Sequence, residues 1–518
     1  MKITRKVGVD REITYSYIPF RYVLACFITI LEILSIIGVV VLLCYYVPYF
    51  YLLCFATVIG CVIKIIASDD NPDYKVPWLL FVLVLPIAGF MLYFMFSSRK
   101  LQKKYVRKLD KLKSMKYTKD HSEDFINLKK EDAVGCSQAK VICDIADASL
   151  FKNTSVKYFS DGELLWESML SDLKKANKFI YLEYFIIERG VFWDSILEIL
   201  KEKAKSGVDV RVVFDDIGCM STLPGSYAKT LRKLGIKATP FSRLKGNADS
   251  EFNNRSHRKI LVIDGIIGYT GGVNIADEYV NLKVRFGHWK DVGIRLEGEA
   301  VWELTHLFVI DYGINVKEFE MPDYEMYPTT EPIKAQGYVV PFGDGPSPLY
   351  DRRVGKTVIQ NLLANAIEYA YFTSPYLIID NDLCLSIENA ALKGVDVRIV
   401  VPHIPDKKII FGMTRSFYSR LLKAGVKIYE YTPGFIHAKT YLVDDKFALI
   451  GTMNLDYRSL VHHFENGVWI YDSECLMDIK QDIQQTIKKS QQIILGSQKP
   501  KLIQRFIRSI VRIFAPLL

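Results

Sequence analysis

One short pattern occurs twice in this chain of 518 residues. The stretch HRKILVIDGIIGYTGGVN begins at His257, and HAKTYLVDDKFALIGTMN begins at His437. In both stretches a lysine follows the histidine by two positions, an aspartate by seven and an asparagine by seventeen. One copy would fit an ordinary surface strand. Two copies in register indicate a duplicated unit whose polar residues act together.

The duplication extends beyond this pattern. The stretch GVDVRVV (Gly207–Val213) returns as GVDVRIV (Gly394–Val400), in each half after a strand-like and then a helix-like segment. The period is far too long for a solenoid repeat. The sequence therefore predicts an α/β fold with two like domains, each a mixed β-sheet flanked by helices.

Each copy of the pattern reads as a strand followed by a tight turn. Alternation along a strand places the histidine and the lysine on the same face. The glycines Gly271, Gly272 and Gly451 mark turns where backbone N–H groups can approach an anion, and Asn274 and Asn454 add amide donors. The pattern thus favours an anion-binding site.

Two histidines, two lysines and two amides at one interface suit a phosphodiester substrate. Lysine and amide donors can neutralise phosphate oxygens, one imidazole can attack phosphorus, and the other can act as general acid and base. The sequence contains no HExxH motif and no evident cluster of carboxylates that would bind a metal. We therefore expect no metal and no cofactor. The symmetry of the two copies leaves open which histidine attacks.

The start of the chain is strongly apolar. Hydrophobic residues make up 50% of the chain, the mean hydropathy is +0.11, and the excess lies in residues 23–43, 48–67 and 76–96. Each run is long enough to cross a bilayer core of about 30 Å. A secretory signal would have a shorter apolar region followed by a cleavage site. The sequence predicts three transmembrane helices within residues 1–100.

Charge next to the apolar runs bears on orientation. A dense basic segment follows the third run, which favours a multi-pass protein with its main body in the cytoplasm. Three full crossings would then place the basic N-terminal segment outside, so the alternative is that one of the first two runs fails to cross. The net charge of +9 with membrane segments attached favours anionic lipid, and no nucleic-acid partner is expected. Nine cysteines without a CxxC pair agree with a reducing compartment.

The two motifs resemble those of the phospholipase D superfamily, and the fuller layout resembles bacterial cardiolipin synthases of the phospholipase D type. Residues 71–96 are similar to that family's N-terminal membrane segment, HWKDVGIRLEGEAV (His288–Val301) to the segment after its first motif, and RSIVRIFAPLL to its tail. The resemblance implies a bacterial cell-membrane enzyme acting on phosphatidylglycerol, with His257 as nucleophile and His437 as general acid and base. The catalytic set that it implies is His257, Lys259, Asp264, His437, Lys439 and Asp444.

Further roles follow from the same resemblance. Lys259, Lys439, Asn274 and Asn454 would hold the phosphate. Asp264 and Asp444 would hold turns at the ends of their strands. Glu465 resembles the acid that orients a catalytic imidazole in the family, and Asp291 is its looser counterpart in the first half. The other histidines of the second half and of the segment before Asp291 are expected in loops or at the surface, namely His288, His403, His462 and His463.

These features give expected domain boundaries. They are a membrane domain at 1–100, a basic linker at 101–150, phospholipase D-like domains at 151–325 and 326–490, and an amphipathic basic tail at 491–518. The tail carries Leu502, Phe506 and Ile510 at helical spacing with arginines between them. It fits a membrane interface, or a helix docked on the protein itself.

The leading expectation for function is phosphatidyl transfer between two phosphatidylglycerol molecules, which gives cardiolipin and glycerol through a phosphohistidine. The alternatives are a phospholipase D hydrolase, a phosphatidyltransferase that uses another alcohol, and a membrane-tethered nuclease. A non-catalytic lipid-binding scaffold is disfavoured because both motifs are complete. The sequence makes no prediction of oligomeric state.

Overall fold

A computed structural model describes residues 2–6, 12–16, 20–47, 49–97, 103–113, 121–243, 253–317, 319, 333–497 and 510–517. The first of these residues form the antiparallel pair β1 (Lys2–Lys6) and β2 (Glu12–Ser16). Four apolar helices follow: α1 (Phe20–Tyr46), α2 (Phe50–Ala67), α3 (Pro72–Val84) and α4 (Pro86–Phe96).

Helices α1 and α2 agree with the first two predicted membrane spans. Both are long and apolar enough to cross a bilayer, and only 6% and 11% of their apolar windows are buried within the protein. Their large exposed side chains are aliphatic and aromatic. Such surfaces are stable in lipid and costly in water, so the two helices are membrane segments.

The third predicted span, residues 76–96, is wrong as a continuous helix. Pro86 lacks a backbone N–H and restricts Leu85, which lies outside helical geometry and separates α3 from α4. The chain then folds back: a Cβ added at Gly89 would lie 2.1 Å from the carbonyl oxygen of Phe81. Helices of 13 and 11 residues reach about 20 Å and 17 Å, short of a bilayer core of about 30 Å.

Helix α3 docks on the second half of the protein. The Asp73 carboxylate accepts hydrogen bonds from the Asn381 backbone N–H at 2.8 Å and from the Tyr457 hydroxyl at 3.2 Å. The Tyr74 ring packs edge-on against Tyr457, with ring centroids 5.3 Å apart. The helical hairpin α3–α4 is therefore attached to the globular body.

The segment 101–150, expected as a linker, contains three helices. They are α5 (Lys103–Lys113), α6 (Ser122–Glu131) and α7 (Ala133–Ala146). Ala139 and Ile142 of α7 are buried in the same core as the second sheet, and the Trp469 indole N–H donates to Gln138 at 3.3 Å. This segment is part of the globular body.

The first sheet has seven strands in the order β3-β10-β8-β7-β4-β5-β6. Its strands are β3 (Thr154–Phe159), β4 (Phe179–Tyr184), β5 (Asp209–Asp215), β6 (Lys237–Phe241), β7 (Lys259–Ile263), β8 (Ile267–Gly271) and β10 (Gly293–Gly298). The helices of this half are α8 (Gly162–Leu173), α9 (Val191–Lys205), α10 (Tyr227–Lys233) and α11 (Val301–Asn315). The short strand β9 (His288–Lys290) lies outside the sheet.

The second sheet repeats this order with one added edge strand, β11-β20-β18-β17-β12-β14-β15-β21. Its strands are β11 (Tyr338–Asp344), β12 (Tyr369–Thr373), β14 (Asp396–Pro402), β15 (Lys427–Tyr431), β17 (Thr440–Val443), β18 (Phe447–Gly451), β20 (Glu465–Tyr471) and β21 (Ser490–Ile493). The helices are α12 (Val354–Asn365), α13 (Asn381–Leu392), α14 (Lys408–Lys423) and α15 (Cys475–Lys488). The remaining short strands are β13 (Leu377–Ile378), β16 (Gly434–Ile436) and β19 (Leu455–Asp456).

The duplicated mixed α/β architecture is confirmed by this matching strand order. In both sheets three strands run parallel and the motif strand, β7 or β17, is antiparallel to its neighbours. Helix α11 is buried almost throughout, in a core that it shares with strands of both sheets. The two halves thus share one hydrophobic core, which fixes their mutual orientation.

The end of the chain packs on the protein. The Phe514 ring lies 5.3 Å from that of Phe81 in α3, and Arg512 lies over the ring of Phe417 in α14. Ala515 is buried. The docked alternative therefore holds for residues 510–517, whereas Leu502 and Phe506 lie outside the described residues.

Candidate active site

Each motif histidine is fixed by the backbone of the opposite half. The backbone N–H of His257, just before β7, donates to the carbonyl of Phe464 at 2.8 Å, and the neighbouring Ser256 pairs with Phe464. The backbone N–H of His437 donates to the carbonyl of Lys290 at 2.7 Å, where β16 runs parallel to β9. The two contacts are related by the internal repeat and bring both motifs to one interface.

Each motif histidine also contacts a carboxylate of the opposite half, across the same interface. Nδ1 of His257 lies 3.0 Å from both oxygens of Glu465, and Nδ1 of His437 lies 2.6 Å from Oδ2 of Asp291. Glu465 and Asp291 are fully buried. A carboxylate at Nδ1 favours the tautomer with the proton on that nitrogen, so that Nε2 keeps its lone pair. The sequence identified both acids but not which histidine each one contacts.

Both motif lysines are buried beside the histidines. The Lys259 ammonium donates to the carbonyl of His257 at 2.8 Å, and the Lys439 ammonium lies 2.7 Å from Nδ1 of His437. Burial and the charge of Lys439 lower the pKa of Lys259 to about 7, and burial lowers the pKa of Lys439 to about 8. Two cations held this closely are suited to an anionic ligand.

The two imidazoles are neutral in the free site. Burial and the charges of Lys259 and Lys439 lower the pKa of His257 well below its usual range. Burial and Lys439 lower the pKa of His437 to about 4, although Asp291 opposes this shift. Burial alone would raise the pKa of Asp291, but His437 and Lys439 hold it below its usual value. A neutral imidazole with a free Nε2 is a competent nucleophile.

The two motif asparagines, Asn274 and Asn454, differ in their hydrogen bonding. The Asn274 amide donates to the Tyr279 hydroxyl at 2.8 Å, and its oxygen accepts from the Ile186 backbone N–H at 3.1 Å. Asn454 is buried, and its Oδ1 has no hydrogen-bond partner within the described part of the chain. The side-chain oxygen of Asn454 is therefore an unused hydrogen-bond acceptor, whereas that of Asn274 is engaged.

Asp264 and Asp444 lie away from the histidines. Asp264 accepts backbone N–H bonds from Asn177, Lys178 and Phe179 at 2.7–2.8 Å. Asp444 does the same for residues 367–369. Seven residues of extended chain, about 23 Å, separate each aspartate from its histidine. Both aspartates make the expected turn-holding contacts, and a catalytic role for them stays a prediction.

The two histidine–carboxylate pairs have different surroundings. Glu465 accepts hydrogen bonds from the hydroxyls of Ser459, at 2.6 Å, and Thr452. The residue equivalent to Thr452 in the first half is Gly272, where a Cβ would lie 2.0 Å from an oxygen of Asp291. Glu465 is thus held by the Thr452 hydroxyl, whereas Asp291 fits only because the residue at the equivalent position is Gly272.

Arg258, which lies between His257 and Lys259 in the first motif, is fully buried and makes structural contacts that the motif does not predict. Its guanidinium donates to the carbonyl of Glu465 at 3.1 Å and pairs with Asp311 at 3.1 Å. It lies on the opposite strand face from His257 and Lys259, inside the shared core. Its position between two residues that share the opposite face, just before the buried strand β7, was the signal that could have identified it.

His463, expected in a loop or at the surface, lies in the loop before β20 but is buried next to His257. It is 9% exposed, and its ring centroid lies 5.6 Å from that of His257. It lies two residues before Glu465, so strand alternation would have placed the two on one face. The spacing of His463 and Glu465 in the stretch HHFEN could therefore have predicted that His463 lies near the site.

Two like domains that contribute one HxKx4D motif each to a shared buried site define a phospholipase D-like protein. The family described as "Cardiolipin synthase, PLD-like domain" matches residues 169–284 and 359–489, and the family described as "Phospholipase_D-nuclease N-terminal" matches residues 55–97. The chain belongs to the cardiolipin synthase family of phospholipase D-like proteins.

The chain is also similar to individual proteins, one of which is a cardiolipin synthase. The chain is 32% identical to a cardiolipin synthase of Halalkalibacterium halodurans, over 89% of this chain and 92% of that protein. It is 41% identical to an uncharacterized protein of Streptococcus mutans, over 89% of this chain and 100% of that protein. The fold is similar to the crystal structure of a phosphatidylserine synthase from Haemophilus influenzae, with a TM-score of 0.56, 15% identity, and coverage of 74% of this chain and 98% of that one.

Proposed function

We propose that this protein is a cardiolipin synthase, which transfers the phosphatidyl group of one phosphatidylglycerol to the glycerol hydroxyl of another. The observation that carries the proposal is the crossed pair of buried imidazoles, His257 with Glu465 and His437 with Asp291. Two imidazoles with carboxylates at Nδ1 supply a nucleophile and a separate acid and base. Family membership supports a phosphatidyltransferase and a membrane phospholipid substrate.

In the first step, Nε2 of His257 attacks phosphorus and the bond to the headgroup glycerol oxygen breaks. The bound phosphodiester anion offsets the positive field of Lys259 and Lys439, which favours protonation of His437. Asp291 stabilises the imidazolium that results. His437 then donates its proton to the leaving oxygen, and free glycerol departs.

In the second step the roles reverse. Neutral His437 removes a proton from the hydroxyl of a second phosphatidylglycerol, whose oxygen attacks the phosphohistidine. The phosphorus–nitrogen bond breaks and neutral His257 is restored. Two molecules of phosphatidylglycerol have become one cardiolipin and one glycerol, with no net proton change.

The assignment of His257 as nucleophile has support from the electrostatics of the two rings. The pKa of His257 is well below its usual range, whereas Asp291 partly restores that of His437, to about 4. The ring that protonates more readily is the better general acid. Asn454 would contribute to the phosphate site through its amide N–H group, because its buried Oδ1, which has no partner among the described residues, can only accept a hydrogen bond.

The membrane arrangement that we propose has two crossings, α1 and α2, with the hairpin α3–α4 lying on the same side as the catalytic body. The basic N-terminal segment and the basic residues that follow α4 then share the cytoplasmic side, which removes the conflict that three crossings create. Single cysteines placed before α1 and between α1 and α2 test this arrangement. The first should be shielded from an impermeant thiol reagent in intact cells and the second labelled.

The function is tested with full-length protein in vesicles that contain phosphatidylglycerol. We expect cardiolipin and glycerol in equal amounts, no product with the His437→Ala variant, and reversal on addition of glycerol, because the two diesters are chemically alike. Phosphatidic acid as the main product, without cardiolipin at any lipid density, would establish the hydrolase instead. A cardiolipin-free product with serine or another alcohol would establish the other transferase.

A further inference from the structure

A second imidazole lies beside the proposed nucleophile. Nδ1 of His463 is 3.8 Å from Oε1 of Glu465, the same oxygen that lies 3.0 Å from Nδ1 of His257. Ligand atoms of these three buried residues all lie within 4.8 Å of one another. The mechanism proposed above uses His257 and Glu465 but assigns no part to His463.

The internal repeat shows that this imidazole belongs to one half only. His463 precedes Glu465 by two residues, and Trp289 precedes Asp291 by two residues. The Trp289 ring lies 5.8 Å from that of His437 and closes that side of the site with an apolar surface. The surroundings of His257 therefore contain one nitrogen ligand more than the surroundings of His437.

The three side chains match the coordination chemistry of zinc. Two imidazoles and one carboxylate are an established tetrahedral ligand set, with bonds of about 2.0–2.1 Å that leave ligand atoms about 3.3 Å apart. The observed separations of 3.0 Å and 3.8 Å lie on either side of that value. The ligand atoms of His257 and His463 lie within 4.8 Å of each other, so side-chain rotation has to bring the two imidazoles closer for all three residues to bind one ion.

We propose that His257, His463 and Glu465 form an inhibitory site for Zn²⁺ and for Co²⁺ of similar ligand preference. The inhibition, though not the metal binding, rests on the proposed function. Coordination through Nδ1 of His257 leaves the ring proton on Nε2, so the ring has no lone pair with which to attack phosphorus. Coordination through Nε2 occupies that lone pair directly. In both cases the metal removes the nucleophile, while the two nearby lysines weaken the binding of the cation.

Metal binding is tested by titrating the full-length, detergent-solubilised protein with Co²⁺ and recording its visible absorption. We expect an intense tetrahedral band that reaches its maximum at one equivalent and is displaced by Zn²⁺. The His463→Asn variant should lose the band. His463→Trp, which copies the first half of the repeat, should lose it as well. His403→Asn is the matched control, because His403 pairs with Glu430 away from the site. An unchanged band in both His463 variants would overturn the proposal.

Inhibition is tested separately in phosphatidylglycerol vesicles. Zinc should suppress transfer by the wild-type protein and by His403→Asn equally, and a chelator should restore it. The activity that remains in the His463 variants should be at least tenfold less sensitive to zinc. Equal sensitivity of all four proteins would overturn the inhibitory role. A cobalt band without any transfer activity would support the site and refute the proposed function.

Discussion

Nδ1 of His257 lies 3.0 Å from both carboxylate oxygens of Glu465, a residue 208 positions later in the chain and on the other sheet. His437 has the reciprocal contact with Asp291 of the first half. Each motif histidine therefore takes its carboxylate partner from the other domain. The site exists only when the shared core holds both halves together, which gives the duplication a chemical reason.

Replacing Glu465 by glutamine should lower kcat by about 100-fold or more, with little change in KM. The amide cannot support the imidazolium charge or select the same tautomer of His257. Steady-state transfer in phosphatidylglycerol vesicles measures both constants. Ser459→Ala, which removes one hydrogen bond to Glu465, is the milder companion and should lose less. Undiminished kcat in Glu465→Gln would show that this pair is not catalytic.

The two histidine variants should differ in the covalent intermediate. His437→Ala should still accumulate labelled phosphoenzyme from a substrate with an activated leaving group, because that group needs no acid. His257→Ala should accumulate none. Acid-labile, base-stable label on the protein is the measurement. Label on His437 in the wild-type protein would reverse the assignment of the two roles.

Substrate affinity should fall as the pH rises through 7 and 8. The pKa values of about 7 for Lys259 and about 8 for Lys439 mean that these ammonium groups lose their charge in that range, and phosphate binding weakens with them. KM for phosphatidylglycerol should therefore rise while the vesicle surface charge stays constant. Lys439→Arg, which stays charged, should flatten the upper part of the profile. A KM that is constant from pH 6 to 9 in the wild-type protein would contradict this expectation.

The contribution of Lys259 to folding stability should increase as the pH rises, whereas substrate affinity falls. The folded-state pKa of Lys259, about 7, lies below its ordinary value of 10.5, so the unfolded chain binds more protons between these values. The contribution of Lys259 to stability is therefore least below pH 7 and rises as the pH increases toward 10.5. Thermal unfolding in detergent of the wild-type protein and of Lys259→Met gives the difference. The destabilisation that the buried charge causes should shrink as the pH is raised.

Asp264→Asn should destabilise the fold without changing the chemistry. The substitution weakens hydrogen bonds to three backbone N–H groups, at a cost of about 1–3 kcal/mol. Asparagine tolerates the left-handed backbone at this position, where φ is 54°. The unfolding temperature should fall, while activity per folded molecule stays within about twofold. Asp444→Asn is the matched variant in the other half, and a large loss of kcat at normal stability would restore a catalytic role.

The features that the sequence predicted correctly are those with a local signature. Residues 23–43 lie in α1 and residues 50–67 form α2, and an unbroken apolar run can be recognised from its length alone. The repeated His–Lys–Asp spacing predicted two like sheets, because strand alternation and turn chemistry act over a few residues. The turn-holding contacts of Asp264 and Asp444 were likewise predicted from a short stretch of sequence.

Tertiary structure decided which distant groups meet. The packing of the two halves around a shared core brings His257, just before β7, against Glu465 of β20. It also buries His463 and places Arg258 behind the site. The hairpin that begins at Pro86 is held by contacts of α3 with the globular body and with Phe514. Such contacts join residues tens to hundreds of positions apart, and their energies depend on packing that no short stretch of sequence encodes.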